Sequence, residues 1–255
     1  MKNRIFAVLL KRAFCSPLMY CSIAMFPVLL QIPLSGLTGK VDHLSAFHVL
    51  SWAMMGNMGI FMFLLCLLPA VPFTQTVVDD SDNNLIYLWA IRAGAKSYAA
   101  AYFMTVLLTG FCTVFLGSLL SLGIMTASGY PLLPNVDQAN YGDLLQNQPV
   151  RYVLYNLVTW SLGGTAMAAI AAAAATVFRH KVAALASPVS VYIILVRLLN
   201  YRNPLDVNKL LSGGQTLLGN TPDRMLLGQL LIAALYCAVC GCVVIYQIKR
   251  RVNHG

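Results

Sequence analysis

The chain has 255 residues, of which 59% are hydrophobic and only 10% are charged. A soluble domain carries roughly a quarter charged residues, so most of this protein's surface faces something other than water. The net charge of +9 does not indicate a nucleic-acid partner, because the basic residues lie beside long apolar runs. All eight acidic residues are Asp, and the absence of Glu excludes zinc-protease helices of the His-Glu type.

The first predicted element is an amphipathic helix over residues 1–14. Lys2, Arg4, Lys11 and Arg12 alternate there with apolar residues at helical spacing. A helix with one basic and one apolar face is suited to lying in the membrane interface. We therefore expect an interfacial helix ahead of the first membrane span.

Six stretches are long and apolar enough to cross a bilayer core, which needs about 20 residues in a helix. They run approximately over Pro17–Leu37, Phe47–Phe73, Tyr98–Met125, Tyr152–Phe178, Val182–Leu199 and Leu226–Ile248. The fourth and fifth stretches are predicted to form a tight hairpin, because only three residues separate them. The sequence thus predicts an all-α membrane protein with one domain, in which residues 17–248 form a six-helix bundle and residues 249–255 a basic cytoplasmic tail.

The Lys and Arg residues of the connections predict the orientation. With the N-terminus in the cytoplasm, the inner segments hold eleven of these residues and the outer segments hold six. Cytoplasmic loops carry the excess of basic residues, so both termini are predicted to be cytoplasmic. A multi-pass protein of the cell membrane is expected.

Three amide side chains fall within the predicted spans, namely Gln31, Asn57 and Asn156. Polar groups are expensive in hydrocarbon, so these residues either line a translocation path or make hydrogen bonds between packed helices. Neither a metal site nor a membrane-embedded acidic residue for ion coupling is predicted. The Cys residues of the sixth span are interpreted as small hydrophobic residues.

Two further stretches have a distinctive composition. The fourth span contains Gly163, Gly164 and the run Ala171–Ala175, and small residues of this kind let neighbouring helices approach closely, within the chain or across a dimer. The outer connection around residues 200–225 mixes Gly and Pro with Leu, which predicts short interfacial or re-entrant helices.

The connection between the second and third spans, about Thr74–Ser97, holds the most informative pattern. Asp79, Asp80 and Asp82 precede the apolar run Leu85–Ile91. Arg92 and Lys96 follow that run, and acid at the start with base at the end suits a short helix. Leu85, Ile86, Trp89 and Ala90 form one apolar stripe. The helix is either an interfacial anchor or a docking surface for a cytoplasmic partner.

This pattern resembles the membrane permease subunits of type-2 ATP-binding-cassette (ABC) exporters, particularly small Gram-positive members. The matching residues are Phe73, the pair Asp79–Asp80, the stretch Ile86–Leu88, and Arg92 followed six residues later by Tyr98. The family often has a basic residue about four positions after that Tyr, where this chain has Tyr102.

The resemblance implies that residues 1–14 form the elbow helix and that about Asp79–Lys96 forms a cytoplasmic coupling helix. It assigns contact with a separate ABC ATPase subunit to the following residues: Asp79, Asp80, Asp82, Ile86, Trp89, Arg92, Lys96, Arg179 and Lys181. It further implies a dimer with a second permease copy or homologue. ATP and Mg would bind the partner ATPase, and this chain would bind no cofactor and have no catalytic residue.

Several functions remain open on the sequence. The resemblance implies a permease that exports an antimicrobial peptide, a drug or a lipid. A non-transporting membrane scaffold or immunity protein would show the same pattern. A secondary transporter is a further alternative, although the predicted spans contain no acidic residue. An enzyme is not expected, because the chain has no phosphate-binding loop and no Gly-x-Ser-x-Gly nucleophile motif.

Overall fold

The computed structural model describes residues 2–35, 45–54, 63, 66–133, 141, 143–199, 203, 205–214 and 216–254, and within these residues it is helical with no strands. The α-helices are α1 (Lys2–Phe14), α2 (Pro17–Ser35), α3 (Ala46–Met54), α4 (Thr76–Asp82), α5 (Leu85–Ala93), α6 (Ala95–Ala127), α7 (Asp143–Asn147), α8 (Pro149–Phe178), α9 (Lys181–Leu198), α10 (Val207–Ser212) and α11 (Pro222–His254). A short 3-10 helix spans Leu68–Ala70.

Four of these helices, α6, α8, α9 and α11, are each long and apolar enough to cross a membrane. Each coincides with a span predicted from hydropathy. The helices α1 and α2 meet at a bend of 49° and together could form a fifth span. The predicted span Phe47–Phe73 lies partly outside the described residues. The architecture is therefore all-helical and consistent with a multi-pass membrane protein.

The amphipathic pattern of the first 14 residues corresponds to α1. Ile5, Leu9 and Ala13, spaced four residues apart, are buried and pack against α6. Lys11 and Arg12 lie on the exposed side. The helix thus joins the bundle through its apolar stripe and leaves its charges at the surface.

The helix α8 lies at the centre of the bundle, in contact with α6, α9, α10 and α11. Its Gly and Ala residues allow this. A Cβ atom on Gly164 would lie 2.3 Å from Cγ2 of Val114 in α6, and one on Gly110 in α6 would lie 2.6 Å from Cβ of Ala168. The small residues of α8 therefore pack within the chain, which decides between the two alternatives left by the sequence.

The end of the bundle at which α8 begins is fixed by a polar cluster. Arg151 makes an ion pair with Asp223 of α11, with 2.6 Å between Nη2 and Oδ1. The Tyr155 hydroxyl also donates to Asp223, at 2.5 Å, and the Arg151 guanidinium lies 4.9 Å from the centre of the Tyr155 ring. These contacts hold the first turns of α8 and α11 together.

Nearby, the Tyr141 hydroxyl pairs with the Thr159 hydroxyl at 2.8 Å and is buried. Burial raises the pKa of Tyr141 to about 12, because the charged phenolate is poorly solvated there. Tyr141 therefore stays neutral at physiological pH and acts as a hydrogen-bonding group at this end of the bundle.

The close approach of α6 and α8 generates a prediction about Gly110. Replacing Gly110 by Ala is expected to lower the free energy of unfolding by about 1–3 kcal/mol, because the Ala168 methyl group has no rotamer that would avoid the new Cβ. Chemical denaturation of the purified protein in detergent micelles measures the change.

Two variants control this experiment. Gly123→Ala changes the same helix at a site with no neighbour within 4 Å, so it is expected to be neutral or slightly stabilising. The double variant Gly110→Ala with Ala168→Gly removes the clash and is expected to recover most of the lost stability. A loss that persists in the double variant would contradict this packing.

Candidate functional site

The end of the bundle opposite to Arg151 carries most of the residues singled out by the sequence. We call it the basic end; it comprises the last turn of α1, the α4–α5 segment (Thr76–Ala93), the start of α6, the α8–α9 turn (Arg179–Lys181) and the last turns of α11. Hydrogen bonds and ion pairs link the first four parts, and Arg251 of α11 donates to Thr176 in the last turn of α8. The basic end is therefore one polar cluster and not a set of separate loops.

Asp80 lies at the centre of this cluster and its side chain is completely buried. One carboxylate oxygen accepts from Nη1 of Arg12 in α1 at 2.7 Å. The other accepts from the Tyr98 hydroxyl in α6 at 2.8 Å. A buried carboxylate is stable only when it is paired and hydrogen-bonded, and these two donors provide that. Asp80 thus binds three helices together from within and presents nothing to a partner.

The neighbouring Asp79 points to another part of the chain. Its Oδ1 lies 2.5 Å from Nζ of Lys181, the first residue of α9, and both side chains are partly exposed. Two segments that are about 100 residues apart in sequence, and that the resemblance assigns to the same partner, are therefore adjacent. Asp82, one turn along, is exposed.

The residues just before α4 are also anchored to α6. The Tyr102 hydroxyl donates to the backbone carbonyl of Thr74 at 2.8 Å, and the Tyr102 ring lies 6.0 Å from the ring of Phe73. Tyr102 is completely buried. The position at which the exporter family often has a basic residue is thus occupied here by a structural hydrogen-bond donor.

Two left-handed residues set the direction of α5. Asn84 precedes the helix with φ of 58°, and Gly94 follows it with φ of 85°. Asn and Gly tolerate this conformation at low cost. The turns bring Ile86 and Ala90 of the predicted apolar stripe into the core, while Trp89 is partly buried against the same cluster.

The opposite face of α5 is exposed and partly apolar. Ile91 is 82% exposed and Leu88 is 53% exposed, and Arg92 lies beside them at the surface. Sequence reasoning missed Leu88 and Ile91 as surface residues. The signal was available, because a stripe at Ile86 and Ala90 places positions 88 and 91 on the other side of a helix.

The remaining basic residues of the predicted site also lie at the surface. Lys96 is exposed in the first turn of α6. Arg179 is exposed in the α8–α9 turn and has a left-handed φ of 53°. The predicted contact residues therefore divide into buried members, Asp80 and Ile86, and members that can reach a partner.

The three amides proposed for a translocation path have different outcomes. Asn156 is buried in α8, and its Nδ2 donates to the carbonyl of Tyr152 one turn earlier, at 3.0 Å. Gln31 lies in α2 with its side chain outside the described residues, and Asn57 also lies outside them. For Asn156, the Nδ2 donor is therefore bonded within its own helix.

Two charged residues of the outer connection are also buried. The short helix α10 packs against the middle of α8, where a Cβ atom on Gly163 would lie 2.9 Å from the Leu210 carbonyl oxygen. Asp206, just before α10, is 1% exposed, and Lys209 is 9% exposed. Asp206 lies outside the predicted spans, in a connection, but it is buried where α10 packs against the bundle.

The contrast between Asp79 and Asp80 generates a prediction. Asp80→Asn is expected to lower the free energy of unfolding by about 1–3 kcal/mol, since charge-assisted hydrogen bonds to a buried acceptor are lost. Asp79→Asn is expected to cost less than about 1 kcal/mol, because its ion pair is partly exposed. Denaturation in micelles compares the two, and equal losses would contradict the assignment of Asp80 as the internal link.

Comparison with known proteins gave no match: no family model fits this chain, and no curated protein or solved structure is significantly similar to it. The resemblance to type-2 permeases therefore rests on the sequence pattern. The physical grounds for a function are the geometry of the basic end, its exposed apolar side chains and the polar residues buried in the bundle.

Proposed function

We propose that this chain is the membrane permease subunit of an ABC exporter, which couples to a separate ATPase subunit at the basic end. The observation that carries the proposal is the ion pair between Asp79 and Lys181. It joins the α4–α5 segment to the α8–α9 turn, the two segments that the resemblance assigns to the ATPase. One partner surface can therefore contact both.

The composition of this surface supports a protein partner. Ile91 and Leu88 are exposed apolar side chains on a helix flanked by Arg92 and Lys96, at an end of the bundle rich in charge. Exposed apolar residues rimmed by polar ones are typical of interaction sites. Docking would bury them and leave the basic residues at the rim.

The proposed topology has six spans, with α1 as the elbow helix and both termini in the cytoplasm. The excess of Lys and Arg supports this orientation, because Arg12, Arg179, Lys181 and Arg251 all fall at the basic end and cytoplasmic segments carry such an excess. The lipid bilayer of the cell membrane would surround the bundle.

In the proposed mechanism, the ATPase hydrolyses ATP and this chain converts the resulting motion into alternating access. A push on α5 is transmitted to α6 through the buried Ile86, and to α1 and α6 through Asp80, which accepts from Arg12 and Tyr98. The same push reaches α9 through Asp79 and Lys181. The internal contacts make the basic end move as a unit.

A second permease copy or homologue is part of the proposal. Of the residues in the most apolar stretch of α9, only 11% are buried within the chain, whereas 78% of those in α8 are buried. A span with so little intrachain packing has most of its surface available to lipid or to another permease. The exported substrate is proposed to be an antimicrobial peptide, a drug or a lipid; a scaffold or immunity role would use the same docking surface without transport.

The test is affinity purification of the tagged chain from native membranes in mild detergent, followed by mass spectrometry and an ATPase assay. An ABC ATPase subunit is expected to copurify in stoichiometric amount. Ile91→Asp and Arg92→Glu are expected to reduce its recovery at least about tenfold, since exposed anchors of an interface often contribute this much.

Val150→Asp is the matched control, because Val150 is 72% exposed at the opposite end of the bundle. This variant is expected to retain the ATPase subunit. A chain that purifies without any nucleotide-binding partner would refute the proposed function. Recovery that survives Ile91→Asp and Arg92→Glu would refute the docking surface alone.

A second candidate function, ion-coupled transport, is favoured by Asp206. Intramembrane carboxylates often act as proton or cation sites, and Asp206 is buried where α10 packs into the bundle. The Tyr236 hydroxyl of α11 donates to the carbonyl of Leu205, the residue before Asp206, at 2.9 Å, and α10 contacts α9 and α11. Such a carboxylate lies at a meeting point of three helices, as a coupling site would require.

The two candidates differ in their dependence on Asp206. If transport is ion-coupled, Asp206→Asn is expected to abolish the response of reconstituted transport to an imposed proton or sodium gradient, while Asp79→Asn leaves it unchanged. If transport depends on ATP, the imposed gradient has no effect in either variant. Transport into proteoliposomes, with and without a gradient, makes the measurement.

A further inference from the structure

Arg251 is a buried cation in the last turns of α11. It is 8% exposed, and its Nη2 donates to the backbone carbonyl of Thr176 in the last turn of α8. Its Nη1 is buried and has no hydrogen-bond partner among the described residues. A guanidinium group is always charged and offers five donors, so this one is only partly satisfied.

The charges around Arg251 do not balance its positive charge and favour the binding of an anion. The nearby Arg179 guanidinium repels it electrostatically. The α4–α5 segment has three carboxylates: Asp80 pairs with Arg12 and Asp79 with Lys181, and Asp82 is exposed. Within the described part of the chain, no ion pair involves Arg251. A buried charge without a counter-charge is strongly destabilising.

The carbonyl of Thr176 does not neutralise the charge of Arg251. The C-terminus of a helix carries a partial negative charge that favours a cation, and this explains the contact made by Nη2. It leaves Nη1 without an acceptor and adds no full charge to balance Arg251 and Arg179. Capping of α8 therefore accounts for one part of the Arg251 side chain.

Another buried donor without a partner lies on the neighbouring helix α5. The indole Nε1 of Trp89 in α5 also has no hydrogen-bond partner among the described residues, and α5 contacts α11. The ends of α8 and α11 thus bring two positive charges close together, and α5, which contacts α11, carries a further buried N–H donor.

We propose that this region binds a phosphate group, with Arg251 as the buried contact, Arg179 as the outer contact and Trp89 as a further donor. Guanidinium groups match phosphate oxygens with two parallel hydrogen bonds. Basic pockets between membrane helices bind anionic lipid head groups, and a phospholipid or a free phosphate supplies the same chemistry. The site shares Arg179 and Trp89 with the residues that the resemblance assigns to the ATPase. It does not include Ile91 or Arg92, so the two proposals are tested by different variants.

The test uses the purified full-length chain, delipidated in a zwitterionic detergent, with phosphatidylglycerol as the probe and phosphatidylcholine as the neutral reference. Native mass spectrometry measures the lipid bound at increasing concentration. Arg251→Gln is expected to weaken phosphatidylglycerol binding about tenfold, through the loss of charge-assisted hydrogen bonds. Arg179→Asn, which suits the left-handed backbone there, is expected to weaken it about fivefold.

Arg250→Gln is the matched control, because it removes the same charge from the exposed neighbouring residue. It is expected to change binding less than about twofold, since the field of an exposed charge is screened. Arg251→Lys keeps the charge but not the two parallel hydrogen bonds of a guanidinium, so it is also expected to weaken binding. If Arg251→Gln does not fold, Arg251→Lys and Arg179→Asn test the site in its place. Variants at 179 and 251 that bind as tightly as Arg250→Gln would overturn the proposal.

Inorganic phosphate distinguishes the two sources of the ligand. If the ligand is free phosphate, millimolar phosphate is expected to raise the melting temperature of the delipidated wild type relative to chloride, and not that of Arg251→Lys. If only phosphatidylglycerol has this effect, the ligand is a lipid head group. Equal binding of phosphatidylglycerol and phosphatidylcholine, with no effect of phosphate, would overturn the site.

Discussion

The close approach of α6 and α8 is the constraint on which the rest of the bundle depends. Gly110, Gly164 and Ala168 leave no room for larger side chains where the helices cross, so the contact is made by backbone and methyl groups. In a membrane, packing of this kind replaces the hydrophobic effect as the force that holds helices together. With α8 at the centre, α9, α10 and α11 can each pack against it.

The charged residues around this apolar centre differ in how deeply they are buried within the protein. Asp80 is buried and has two donors, whereas Asp79 and its partner Lys181 remain partly in water. The low dielectric of the interior strengthens the buried contacts and penalises any donor left unpaired. The same rule distinguishes the residues of the basic end. Asp80 is a buried internal link, Ile91 and Arg92 form an exposed docking face, and Arg251 is a buried and only partly satisfied guanidinium.

Hydropathy was sufficient to predict α6, α8, α9 and α11 because each is an apolar run about as long as a bilayer is thick. The amphipathic stripe of α5 was also readable from its spacing. Sequence could not tell Asp79 from Asp80, because their burial depends on Arg12 and Lys181, which lie far away along the chain. It also could not place Asp206 in the bundle, since that depends on how α10 packs against Gly163.

The tight α8–α9 turn has a consequence for biosynthesis. Only Arg179 and His180 lie between these helices, which leaves no free loop. We therefore expect α8 and α9 to insert into the bilayer together, as a hairpin. Arg12 and Asp80 are both synthesised early and can pair while the ribosome is still elongating the chain. Asp79 can pair with Lys181 only after about a hundred further residues have been synthesised. Its ion pair therefore forms after the α8–α9 turn has been made.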